Sequence, residues 1–150
     1  VNMNILIIED NLYKSDKVCM FMNEIFSDPI ITLAHSVSSG IKILNAEKFD
    51  LAIIDMSLPT FDKTQGQPPS NPKVFGGLEI AKHIHRKKSK LKYIILTQYK
   101  SFAEDDKRYD LTSIKKIFKE KYINNALGCV YYENSSLNWK KEIINILDLE

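Results

Sequence analysis

Cysteine is scarce in this chain. Cys19 and Cys129 lie far apart, and neither belongs to a C-x-x-C pair. A disulfide framework is therefore excluded, one bridge at most is possible, and two buried thiols in a reducing cytoplasm are the expectation. Long apolar runs are missing as well, and none approaches the roughly 18 residues that a membrane-spanning helix needs. The first residues, Val1-Asn2-Met3-Asn4, show no basic region of a signal peptide, so the expected location is cytoplasmic. Charge of one sign is absent too. Against 19 acidic residues stand 21 basic ones, a formal charge of +2, whereas nucleic-acid binding usually needs a concentrated basic face. The nearest basic run, His83 to Lys90, reads as a solvated helix end with cations near the negative pole of the dipole. No glycine-rich phosphate loop follows the first apolar run, which disfavours a flavin or dinucleotide domain. No internal repeat or domain linker is visible. What remains is 150 residues with 44% apolar and 27% charged content, enough for one domain around a single core.

The stretch that organises the rest is Leu51-Ala52-Ile53-Ile54-Asp55, closed by Pro59. A short unbroken apolar run fits a strand covered on both faces, as in a parallel sheet flanked by helices. Asn4 to Ile8 is a second such run and ends in Glu9-Asp10; Tyr93 to Leu96 is a third and ends in Thr97. Ile30 to Ala34 and Gly128 to Tyr132 complete five strands. Helical spacing appears between them: Val18, Phe21/Met22 and Ile25/Phe26; Ile41 and Leu44; Leu78, Ile80/Ala81 and Ile84; Leu111, Ile114, Ile117/Phe118 and Tyr122; and Leu137, Ile143/Ile144 and Leu147. Expected N-caps are Ser38-Ser39 for the second helix, Asp110 or Thr112 for the fourth and Ser135-Ser136 for the fifth. The alternation predicts an α/β fold with a parallel sheet, and the arrangement expected is the flavodoxin-like (βα)5 fold. Its five-stranded parallel sheet has order 2-1-3-4-5, with helices on both faces. Two polar stretches interrupt it, an inserted loop at about 62–75 that is proline-rich and expected to be mobile, and a long loop at about 99–109.

In strand order 2-1-3-4-5 the first, third and fourth strands are neighbours, and ligands bind at the carboxyl edge. Glu9, Asp10, Asp55 and Thr97 would then converge. Carboxylates so close repel one another unless a cation lies among them, and Mg²⁺ suits an all-oxygen site of this kind. One carboxylate could act as nucleophile toward a phosphoryl group. Each residue also has a plainer reading: strand-end acids often cap the next helix, and threonine is common in strands. His83 and His85 are two apart and make a poor metal pair on a helix, where i, i+4 spacing is needed. Trp139 with Tyr131 and Tyr132 fits core packing or a docking surface equally well.

With these residues in place, the whole chain resembles the receiver domain of two-component response regulators. The resemblance implies that Asp55 is the phosphoacceptor, Thr97 the switch hydroxyl, and Glu9-Asp10 the metal-binding acidic pair. It also implies that the Ser57 backbone carbonyl ligates Mg²⁺. Leu58-Pro59-Thr60-Phe61-Asp62, followed after the insertion by Gly76-Gly77-Leu78-Glu79, is similar to the family's P-x-x-D-G-x-E stretch, and Tyr131 stands at its fifth-strand aromatic position. Two departures stand out. The family's lysine after the fifth strand is missing, with Asn134 or Glu133 in its place, and Gln98 stands where a small residue is usual. Lys63, Lys73 and Lys100 lie on the active-edge loops as candidate substitutes. The implied function is phosphorelay signal transduction, with a histidine kinase or phosphotransfer protein as phosphodonor and a downstream protein partner; a homodimer is a further open alternative. Such a domain at most catalyses its own phosphorylation and dephosphorylation. The alternative is a phosphorylation-independent pseudo-receiver that serves as a protein–protein interaction module.

Overall fold

Each apolar run flanked by turn residues becomes a strand, and each stretch of 3.6-residue spacing becomes a helix. The computed structural model describes residues 2–64 and 72–149. In chain order the main elements are β1 (Asn4–Ile8), α1 (Leu12–Ile25), β2 (Ile30–Ala34), α2 (Val37–Ala46), β3 (Leu51–Ile54) and α3 (Gly76–Arg86). They continue with β4 (Lys92–Thr97), α4 (Leu111–Lys121), β5 (Ala126–Tyr131) and α5 (Asn138–Leu147). The five strands form one parallel sheet in the order β2-β1-β3-β4-β5, the order expected of the flavodoxin-like fold.

Successive strand side chains point to opposite faces, so the sheet divides the apolar interior in two. Ile5, Ile7, Leu51, Ile53, Ile94, Leu96 and Val130 pack under α1 and α5 with Phe21, Met22, Trp139 and Ile143. Leu6, Ile8, Ala52, Ile54, Ile95 and Cys129 pack under the other three helices with Ile80, Ile84, Ile114 and Phe118. Trp139 is therefore a core residue, with its ring centroid 5.2 Å from Phe21 and 5.0 Å from Tyr132. Both cysteines are free, Cys129 buried and Cys19 half-buried.

Three local expectations change. Ser36, rather than Ser38-Ser39, caps α2. Its hydroxyl accepts from the Ser39 amide, and Ser39 reciprocates in a capping box. Asp110 does cap α4; at α5 the cap position falls on Leu137, which has no capping side chain, while the Ser136 hydroxyl accepts from the Asn138 amide at 3.1 Å. The segment expected as a loop at 99–109 is a β-hairpin, Ser101–Glu104 paired antiparallel with Lys107–Asp110. Asp105 takes its left-handed turn position at φ 55°. Part of the stretch expected as a mobile insertion, residues 65–71, lies outside the described residues. Its far end returns to pair Pro72–Lys73 with Leu58–Pro59.

Candidate acidic phosphoacceptor site

Parallel register brings the strand-end acids together. Ile8 pairs with Ile54 across β1 and β3, and the Asp55 amide donates to the Ile8 carbonyl at 3.0 Å. The residues that follow these two positions, Glu9 and Asp55, therefore leave the sheet side by side. Asp10 joins them, and one oxygen from each of Glu9, Asp10 and Asp55 lies within 4.8 Å of the others. Glu9 and Asp55 are buried; Asp10 is exposed. On β4, Thr97 ends the strand at the same edge of the sheet. Its hydroxyl is buried and accepts from the Tyr99 amide at 3.2 Å, while the Tyr132 amide donates to its carbonyl at 2.7 Å.

The turn after β3 is held closely. Gly77, at the start of α3, donates its amide to the Met56 carbonyl at 2.8 Å. A Cβ on Gly77 would stand 2.7 Å from the Asp55 carbonyl oxygen, so only glycine permits this approach. The Ser57 hydroxyl donates to the Val74 carbonyl at 3.3 Å. Asp62 accepts from the Ser36 hydroxyl at 2.5 Å, which ties the segment after β3 to the start of α2.

Lys14 is the site residue that the sequence reading passed over. It lies in the first turn of α1, where Asn11 caps the helix by accepting from the Lys14 amide. Its side chain is only 2% exposed. The ammonium contacts Glu9 Oε1 at 2.6 Å, donates to the Leu96 carbonyl at 2.7 Å and stands 3.4 Å from Asp55 Oδ1. It also lies 5.5 Å from the centroid of the Tyr132 ring, within cation–π range. The signal was present in the sequence: Lys14, Val18, Phe21 and Met22 share one helical stripe, and all four are buried. A lysine on the inward stripe of a helix that leaves the acidic edge is placed to turn toward it.

The lysines proposed from the loops are engaged elsewhere or exposed. Lys73 pairs with Glu79 at 2.7 Å, Lys100 lies over the half-buried Tyr131 ring at 4.6 Å, and Lys63 is exposed. Glu133 and Asn134 point into solvent. The Gln98 amide donates to the Tyr99 hydroxyl at 3.3 Å. His83 is buried against the Asn45 side-chain carbonyl at 2.9 Å, and His85 packs edge-on to Tyr122, so the pair is structural.

Burial dominates the electrostatics. It pushes Glu9 up to about 7, with the Asp55 charge adding and Lys14 opposing. It also raises Asp55, against the pull of Lys14, and raises Asp10, with Glu9 adding. One ammonium is too little for three carboxylates; with all three ionised the formal sum is −2, and a divalent cation would bring it to zero. Asp55 Oδ1 is buried without a hydrogen-bond partner, a state that a polar interior normally corrects with a ligand, an ion or water. An all-oxygen donor set with two acidic side chains and one open acid fits a hard cation such as Mg²⁺.

The fold is the receiver fold of response regulators. A CheY-like receiver domain from Methanospirillum hungatei superposes with a TM-score of 0.65 at 18% identity, covering 99% of this chain and 95% of that one. The Thermotoga maritima response regulator TrrA, solved with Mg²⁺ and BeF, gives 0.59 at 18% identity over 96% and 98%. In sequence the chain is 29% identical over 146 residues to the Detocs response regulatory protein DtcB of Vibrio alginolyticus, spanning 95% of this chain and 98% of that protein. A second DtcB, from Enterobacter cloacae, is 27% identical over 95% and 96%. No protein-family model matches the chain. Among the described residues no helix is long and apolar enough to cross a membrane.

Proposed function

We propose that this receiver domain takes a phosphoryl group onto Asp55 with Mg²⁺ bound, and passes the resulting change to a protein partner. The observation that carries the reading is the meeting of Glu9, Asp10 and Asp55 at one sheet edge, with a buried Asp55 oxygen left unsatisfied. Glu9, Asp10, Asp55 and the Ser57 carbonyl would hold the ion. When bound, Mg²⁺ supplies positive charge against the phosphoryl oxygens. Asp55 supplies the nucleophilic oxygen. It forms the new O–P bond as the donor's P–N bond breaks, and the imidazole of a histidine kinase or phosphotransfer protein leaves with a proton. Thr97, at the end of the neighbouring strand, would supply the hydroxyl that follows the phosphoryl oxygens. The alternative of a phosphorylation-independent interaction module rests on the lysine missing after β5 and on the lengthened loops; the Lys14 ammonium, 3.4 Å from Asp55 Oδ1, supports the phosphoacceptor reading against the first of these grounds.

Incubation with Mg²⁺ and acetyl phosphate, followed by intact mass, tests this. The expected result is one phosphoryl addition to the native chain and none to Asp55→Asn. A chain that binds Mg²⁺ yet gains no mass would return the reading to the interaction module.

A further inference from the structure

We infer that Lys14 is the cation that pairs with the phosphoryl group on Asp55, so that a helix α1 residue does what the lysine missing after β5 would do. This rests on the phosphoacceptor reading above. An ammonium is costly to bury unless it is paired and hydrogen-bonded, and Lys14 is 2% exposed on a stripe that otherwise carries apolar side chains and Ser15 beside it. Of its three N–H donors, one goes to the Leu96 carbonyl and one to Glu9. The third is left on the side of Asp55 Oδ1, 3.4 Å away, and that oxygen has no hydrogen bond. A phosphoryl oxygen attached to Asp55 would be within reach of this donor.

Two neutral groups hold the ammonium independently of the acids, the Leu96 carbonyl and the Tyr132 ring. Lys14 thus keeps its place when Glu9 turns toward a metal ion. Of the three loop lysines at this edge, Lys73 is paired with Glu79, Lys100 covers Tyr131 and Lys63 is exposed, whereas Lys14 is buried against the acids. Trp139 touches Tyr132, which lies beside Lys14, so tryptophan fluorescence reports on this corner.

The test uses the full chain with Mg²⁺ and beryllofluoride as the phosphoryl mimic, read by Trp139 fluorescence and by fluorine NMR of the bound anion. Lys14→Met is expected to stay folded and to bind Mg²⁺ at least as well as the native chain. Loss of a charge-assisted hydrogen bond should weaken the anion about tenfold or more. Adding Asn134→Lys to that variant should recover part of the loss by supplying the cation from the other side. Equal anion binding by Lys14→Met overturns the inference. So does a parallel loss of Mg²⁺ and anion, which would mark Lys14 as a residue that only assembles the acids. If Lys14→Met fails to fold, the native chain labelled with ¹⁵N-lysine decides. The Lys14 Nζ resonance should move when beryllofluoride is added to the Mg²⁺-saturated protein, and a resonance unmoved by bound anion overturns the assignment. A native chain that takes up neither beryllofluoride nor phosphoryl sinks the phosphoacceptor reading itself, and this inference falls with it.

Discussion

At the residue scale, Glu9 sets the behaviour of the metal-free protein. Burial holds its folded-state value at about 7, above the ordinary 4.5 of the unfolded chain. Between these values the native state binds more protons than the unfolded state, so stability falls as pH rises. In EDTA the melting temperature should drop from about pH 4.5 to about pH 7 on this account, and Mg²⁺ should restore most at the upper end. A flat profile in EDTA would show that Lys14 alone neutralises the cluster. The acids themselves were legible because each ends an unbroken apolar run, which fixes it at the carboxyl edge of a buried strand. Lys14 was not legible from charge alone, since lysine in a first helical turn is ordinarily solvated. Only its spacing to Val18, Phe21 and Met22 betrays it.

At the element scale, the hairpin between β4 and α4 shows why composition misleads. One face of a two-stranded ribbon can stay in water, so a single apolar anchor on each strand is enough to order it. Here Phe102 is buried and faces Phe75, with ring centroids 6.4 Å apart, and Tyr109 meets Phe75 edge-on at 5.6 Å. The remaining residues are polar or small, and their composition reads as a loop. Replacing Phe102 by Ala should cost about 3–5 kcal/mol if the hairpin unfolds with the domain. Hydrogen exchange of the Ser101–Glu104 amides distinguishes this from local undocking: a hairpin held by Phe102 should lose protection there while the β4 amides keep theirs. The main strands and helices were legible for the opposite reason, because their periodicity is enforced by burial on the two faces of the sheet. The cap of α2 was missed by two residues, since Ser36 and Ser39 act as a reciprocal pair that a search for adjacent serines overlooks.

At the scale of the whole molecule, the two thiols lie in different compartments. Cys129 belongs to the core under α3 and α4, and burial pushes its thiol up to about 12. Cys19 is half-buried against the opposite core. A thiol reagent should therefore label Cys19 alone in the native protein and both residues after unfolding, and dithiothreitol should leave the melting temperature unchanged. The same partition governs how defects combine. Ile84 and Ile143 line separate cores, so Ile84→Val and Ile143→Val should each cost about 1 kcal/mol. The double variant should equal their sum within about 0.5 kcal/mol. A sheet that works as a bulkhead confines a packing fault to the side on which it arises, and leaves one flank of the domain free to vary while the other keeps its shape.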